Sequence, residues 1–191
     1  AREQLGMRRV PTALSFQTIK SGDSLSQGGA QYDGIMSWST FEHVRRDQLS
    51  LILEDLHACL RPGGYFFIQI EPLYFSAYGS HLRRYDETPW HHLLATEDEL
   101  WKVIEAHQGP IDPAEVDFGF ADFGVEGYKR FVFNEYKALN RLTADELVAF
   151  AQSAGFNVAR EERRSLDISP PDSLLAQYPR DWLTNNEIFL L

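Results

Sequence analysis

The sequence contains a single cysteine, Cys59, and this scarcity bears on the cellular compartment that we expect for the protein. One thiol excludes an internal disulfide framework and favours a reducing compartment, so we expect a cytoplasmic protein. Cys59 follows an apolar helical stripe, which favours a buried small side chain over a nucleophile.

Long apolar runs and clusters of positive charge are also missing. No run reaches the length of a membrane span, and no signal-peptide pattern stands at the start of the sequence. The 18 lysines and arginines are outnumbered by 28 acids, and the basic residues form only scattered pairs. Because phosphate binding depends on clustered basic residues, we predict that neither a nucleic acid nor a membrane is a partner.

What is present is the composition of one globular domain. The chain has 191 residues, of which 43% are hydrophobic and 24% charged, and it shows no internal repeat. We therefore predict a single domain over residues 1–191.

A βαβ unit is predicted between Tyr32 and Pro72. Residues 32–38 form an apolar strand that an acid helps to open, and residues 65–71 form a second strand with almost continuous apolar character. Between them, leucine and isoleucine recur at helical spacing from Leu49 to Leu60, and Pro62-Gly63-Gly64 should end that helix. A helix between two strands predicts a parallel α/β sheet, whose ligands bind beyond the carboxyl ends of its strands.

Further elements follow along the chain. Thr96 and Thr143 each begin a capping box, which predicts a helix after each of them. Residues 156–161 alternate like a strand, and residues 187–191 form a last apolar strand. Residues 109–140 break this regularity with aromatic residues among glycines and acids. They are either an inserted lid over a ligand or a small subdomain that packs its own aromatics on the main sheet.

Three sequence features together resemble the middle of a class I S-adenosylmethionine-dependent methyltransferase. They are Asp33 near the start of a strand, Phe41-Glu42-His43-Val44 after that strand, and Leu60-Arg61-Pro62-Gly63-Gly64 before the next one. Upstream, Gly22-Asp23 after an apolar run at 13–16 resembles the third strand of that family and its following acid. Downstream, residues 142–156 resemble its late helix and the start of its sixth strand.

The resemblance implies a doubly wound, Rossmann-like sheet of order 3-2-1-4-5-7-6 and S-adenosylmethionine as cofactor. The family's glycine-rich cofactor turn after strand one is absent from the sequence, as is the acid after strand two. We therefore expect an incomplete sheet that lacks its first two strands. Strand three would then be an orphan, or would pair with strand four instead.

Cofactor-binding residues are also implied by the resemblance. Asp23 would accept from the adenine amine, with Ser24 and Leu25 beside the ring, although Asp23 could instead cap its own turn. At the end of the first strand of the βαβ unit, the methionine part of the cofactor would lie near three residues: Ser37, Trp38 and Ser39.

The candidate catalytic residues are His43, His81 and His92. Methyl transfer to a hydroxyl or ammonium group needs an in-line acceptor and a base that removes its proton, and histidine titrates near neutrality. All three histidines follow predicted strands on the side where ligands bind. For His43 a structural role is the alternative, since a Glu-His pair in the family can simply order this turn.

A metal site is the other possibility that the histidines raise. Glu42 and the histidines offer ligands for zinc or iron. Some RNA-ribose methyltransferases resemble this chain in a Glu-x-x-Glu-His metal motif, but Ser39 replaces the first acid here. The adjacent His91 and His92 would also point to different sides of a regular element. We therefore predict that no metal is bound.

The resulting hypothesis is an S-adenosylmethionine-dependent methyltransferase that acts on a small-molecule or sugar-like acceptor, with oxygen preferred because histidine bases are at hand. The alternative is a methyltransferase-like module that has lost its cofactor site and serves as an interaction domain. A third alternative, another doubly wound α/β protein such as a dehydrogenase half, is disfavoured because no G-x-G-x-x-G follows a strand.

Overall fold

A computed structural model describes residues 23–29, 31–109 and 124–191, together with the single residues 13, 15, 16 and 18. The predictions made for the start of the chain and for residues 110–123 lie outside these ranges. The strands are β1 (Tyr32–Trp38), β2 (Leu60–Ile70), β3 (Glu161–Ser165) and β4 (Asn185–Leu190). The helices are α1 (Leu49–Ala58), α2 (His91–Leu94), α3 (Glu97–Ala106), α4 (Gly124–Ala138), α5 (Ala144–Ser153), α6 (Asp172–Leu175) and α7 (Arg180–Thr184). Short 3-10 turns occur at Ser26–Gly28, Phe41–His43 and Arg46–Gln48.

The four strands form one mixed sheet in the order β1-β2-β4-β3. β1 and β2 are parallel and are joined through α1, which confirms the βαβ unit. β4 runs antiparallel to both of its neighbours, and it confirms the predicted last strand. This is the 4-5-7-6 half of the strand order that the resemblance implies.

The boundary between α1 and β2 differs from the prediction. The helix ends at Ala58, before Pro62-Gly63-Gly64, and β2 already begins at Leu60. Tyr32 pairs with Leu60 whereas Gly34 pairs with Tyr65, so residues 61–64 bulge out of the parallel ladder. Pro62 has no N–H to donate and Gly63 has a φ of 81°, which suits a bulge as well as it would suit a helix end.

The strand predicted over residues 156–161 is also misplaced. Only Glu161 of this segment belongs to a strand, at the start of β3, although Arg160 and Leu191 already exchange two backbone hydrogen bonds. Phe156 and Val158 pack on the core before β3 begins, so their alternation reflects side-chain burial ahead of the strand.

Helices α1 and α5 cover one face of the sheet. Leu53 of α1 and Leu147 of α5 are fully buried in a core that includes Ile68 and Ile188 of the sheet. The opposite face carries the exposed side chains of Met36, Trp38 and Tyr65. The second helical layer of a doubly wound sheet is not seen among the described residues and stays a prediction.

Beyond the carboxyl end of β2, helices α2, α3 and α4 build a second, smaller core. Both capping boxes are confirmed, at Thr96 for α3 and at Thr143 for α5. α4 comes from the segment predicted as a lid or subdomain, and its Phe133 packs on Trp101 of α3 with ring centroids 5.3 Å apart. None of the helices in the described ranges is long and apolar enough to cross a membrane.

Candidate functional site

The turn after β1 is held in place by Asn140. Its side-chain amide donates to the carbonyl oxygens of Phe41 at 2.6 Å and Val44 at 2.9 Å, and its own backbone N–H donates to the Glu42 carbonyl at 3.1 Å. Phe41 is buried in the main core and thus anchors the turn from the other side. This bracing points the Glu42 side chain inward and leaves His43 half-exposed.

The loop after β2 brings His81 to the same place. Its backbone is left-handed, with a φ of 61°. Two residues earlier, Gly79 passes so close to the Tyr74 carbonyl that a Cβ there would overlap with it. The tight loop thus fixes the position from which His81 projects.

Glu42, His43 and His81 form a cluster in which one oxygen or nitrogen atom from each residue lies within 4.8 Å of the others. The rings of His43 and His81 meet edge to face, with centroids 5.3 Å apart. Burial raises the pKa of Glu42 to about 7, against a weaker opposing effect of its own backbone. Burial, together with the charge of His43, lowers the pKa of His81 to about 4, so His81 is neutral at pH 7.

Polar atoms in this cluster lack partners. Both carboxylate oxygens of Glu42 and the Nε2 atom of His81 are buried without a hydrogen bond in the described part of the chain. His43 differs, since its Nδ1 lies 3.8 Å from the Glu135 carboxylate. Burial lowers the pKa of His43, while Glu135 opposes the change.

The other two histidines of this region are occupied by the protein itself. The Nε2–H of buried His92 donates to the Tyr74 carbonyl at 2.7 Å, and burial lowers the pKa of His92 to about 4. His91 pairs through Nδ1 with the Asp86 carboxylate. His92 therefore supports the loop after β2, and its predicted catalytic role is not favoured by this geometry.

A cleft of about 720 Å³ opens next to the cluster. Its walls are the segment 23–26, the turn after β1 and one side of α1, and His43 lies on its surface. Three residues predicted to bind the cofactor, Asp23, Ser24 and Leu25, also line it. The structure thus brings these residues and His43 to one cavity, whose size falls in the range of small-molecule sites.

Asp55 of α1 organises the segment 23–26, a role that no sequence pattern indicates. Its carboxylate accepts from the Ser24 hydroxyl at 2.5 Å, the Leu25 N–H at 2.6 Å and the Ser26 hydroxyl at 2.5 Å. Burial raises the pKa of Asp55, but these donors together hold it at about 2. An acid on the polar side of a helix is usually solvated, and only the tertiary fold shows that this one anchors a loop.

The residues predicted to contact the methionine part of the cofactor lie apart from the lining of this cleft. Ser39 donates from its N–H and hydroxyl to the side-chain oxygen of Gln69, at 3.1 and 3.0 Å. Gln69 in turn donates to buried Glu187 at 2.8 Å. Ser37, Trp38 and Ser39 lie at the end of β1, outside the described lining of the cleft.

Comparison with known proteins is consistent with this arrangement. A search of the curated proteins found no match to the chain. A family model described as a methyltransferase domain matches residues 8–161, which include β1, α1, β2, the cleft and the Glu42 cluster. Because the match spans most of the sequence, the chain belongs to this methyltransferase domain family.

Proposed function

We propose that the protein is an S-adenosylmethionine-dependent methyltransferase that transfers a methyl group to an oxygen of a small-molecule or sugar-like acceptor. The observation that carries the proposal is the cleft, since it gathers Asp23, Leu25 and His43 in a chain of the methyltransferase domain family. The cofactor supplies a methyl group on a sulfonium, so the protein's task is to align the acceptor and remove its proton.

The described residues fit one part of this cofactor. Asp23 offers a carboxylate to an adenine amine, while Leu25 and Ile52 offer apolar walls for the ring. Ser24 contributes less than predicted, because its hydroxyl donates to Asp55. Its role, together with that of the Leu25 N–H, is to hold Asp23 and Leu25 on the wall of the cleft.

His43 is the best placed of the three candidate bases. It lines the cleft, it is half-exposed, and its lowered pKa keeps it neutral and able to accept a proton at pH 7. His92 is buried and donates to a backbone carbonyl. His81 is half-buried, its ring contacts that of His43, and it does not line the described cleft.

The proposal is tested by calorimetric titration of the chain with S-adenosylhomocysteine. Asp23→Ala should weaken binding by about 10- to 100-fold, since a hydrogen bond to a charged group contributes about 1.5–3 kcal/mol. Asp167→Asn, which alters an exposed acid away from the cleft, should bind like the wild type. Absence of binding by folded wild-type protein would overturn the proposal.

An interaction module without a cofactor is the second candidate. It is favoured by the uncovered sheet face, where the exposed fractions of Met36, Trp38 and Tyr65 are 72%, 58% and 62%. The same titration separates the two candidates. A folded chain that binds neither S-adenosylmethionine nor its product supports the module, and binding that depends on Asp23 excludes it.

A further inference from the structure

We propose that Glu42, His43 and His81 bind a divalent transition-metal ion of the zinc or iron(II) class at the edge of the cleft. Two imidazoles and a carboxylate are donors that such ions prefer, whereas magnesium and calcium prefer oxygen donors alone. The proposal reverses the prediction made from the sequence, where the missing first acid argued against a metal. It does not depend on the proposed methyl transfer.

The first argument is distance. Ligand atoms that share one zinc ion at about 2.0–2.1 Å lie roughly 3.3 Å from one another. In the cluster the three candidate atoms already lie within 4.8 Å of one another without an ion. Small side-chain rotations would therefore bring the three atoms to coordination distance. Two of the three ligands are adjacent residues on a turn that Asn140 holds in place.

The second argument is the unsatisfied burial of Glu42. Only 4% of this residue is exposed, and neither carboxylate oxygen has a partner in the described ranges. An unpaired buried carboxylate costs several kcal/mol, and even its protonated form would leave a hydroxyl without an acceptor. A cation bound between Glu42 and the imidazoles removes this cost.

The third argument is the unsatisfied nitrogen of His81. Its Nε2 atom is buried and has no hydrogen-bond partner among the described residues. A buried polar atom without a partner costs free energy, and a neutral imidazole nitrogen that coordinates a cation is satisfied.

The fourth argument is access. His43 lines the cleft, and 37% of its side chain is exposed, so an ion could enter from solvent. Glu135, 3.8 Å from His43, adds negative charge that favours a cation. Three protein ligands leave at least one coordination position for water or for an oxygen of a bound molecule. With the ion in place, His43 is a ligand, and the ion rather than His43 would assist loss of a proton.

The test is binding of Zn²⁺ and Co²⁺ to the full chain after treatment with a chelator. We expect one Zn²⁺ per chain by calorimetry, and visible absorption bands when Co²⁺ occupies the same site. Glu42→Gln, His43→Asn and His81→Asn should each weaken Zn²⁺ binding by more than about tenfold, since even indirect changes near metal sites cost about 10- to 100-fold in affinity.

A histidine residue outside the cluster provides the control. His57→Gln changes an exposed imidazole on α1, and it should bind Zn²⁺ like the wild type. Circular dichroism verifies that each variant folds, and His43→Asn keeps the test valid if a change at a buried position unfolds the chain. If wild-type protein binds no Zn²⁺, or if all three cluster variants bind it unchanged, the proposal is wrong.

Discussion

At the scale of single residues, Asp55 determines the shape of the cleft. Its carboxylate accepts hydrogen bonds from Ser24, Leu25 and Ser26. These bonds hold in place the wall of the cleft that carries Asp23. We expect Asp55→Asn to lower the free energy of unfolding by about 1–2 kcal/mol near neutral pH, because charged hydrogen bonds are lost at a partly exposed site. Urea unfolding measures this, and the neighbouring exposed Glu54→Gln is the matched control that should change little.

The same carboxylate predicts a pH dependence. Its pKa is lowered from 3.8 to about 2 in the folded chain, so its contribution to stability is complete above about pH 4 and is lost as the pH falls through about 2. The difference in unfolding free energy between wild type and Asp55→Asn should therefore shrink as the pH falls from about 4 toward 2. A difference that stays constant over this range would show that Asp55 is not charged in its contacts.

Gly79 controls the loop that carries His81. A Cβ at this position would overlap with the Tyr74 carbonyl, and a backbone atom in a tight loop cannot move away as a flexible side chain could. Gly79→Ala should therefore lower the free energy of unfolding by about 1–3 kcal/mol. Gly28→Ala is the control, because nothing lies within 4 Å of its added Cβ and its φ is not positive. Thermal unfolding of both variants tests the difference, and equal midpoints would contradict it.

At the scale of elements, the start of α5 links local sequence to the site. The Thr143 hydroxyl accepts from the Glu146 N–H at 3.2 Å, and the Glu146 carboxylate accepts from the Thr143 N–H at 3.0 Å. Arg46, from the turn before α1, pairs with the same carboxylate. Thr143→Ala should lower the free energy of unfolding by about 1–2 kcal/mol through loss of the cap. Thr143→Ser retains the hydroxyl and should recover most of this loss in chemical denaturation. Failure of serine to do so would mean that the methyl group, not the cap, carries the effect.

Elements whose signals are local could be predicted from the sequence, and those that depend on pairing could not. The capping boxes fix α3 and α5 because Thr96 and Thr143 act on neighbouring residues. The bulge in β2 and the late start of β3 are decided by partner strands, which alternation alone does not specify.

The contrast between local and long-range signals also explains which residues of the site could be predicted from the sequence. His43 and His81 follow strands, so topology alone brings them to one edge of the sheet. Asp55 and Asn140 support the site from a helix and from a connection, and each acts on residues far away in the sequence. Nothing in their neighbours distinguishes them from ordinary polar residues, so only the folded chain shows their roles.

At the scale of the whole molecule, the uncovered face of the sheet is the largest departure from a sheet with helices on both sides. β1 is an edge strand among the described residues, and Met36 and Tyr65 expose 72% and 62% of their surface beside it. Exposed apolar faces next to an unpaired strand edge promote association between chains.

We therefore expect the purified chain to self-associate as its concentration rises, and Met36→Glu with Tyr65→Glu to suppress this. Because both side chains are exposed, the double variant should lose no more than about 1 kcal/mol of unfolding free energy. Sedimentation velocity over a concentration series measures the association. Val125→Glu, which changes an exposed apolar residue on α4, should leave it unchanged. Association that persists in the double variant would mean that another surface joins the chains. The uncovered face would then remain exposed to water without causing association.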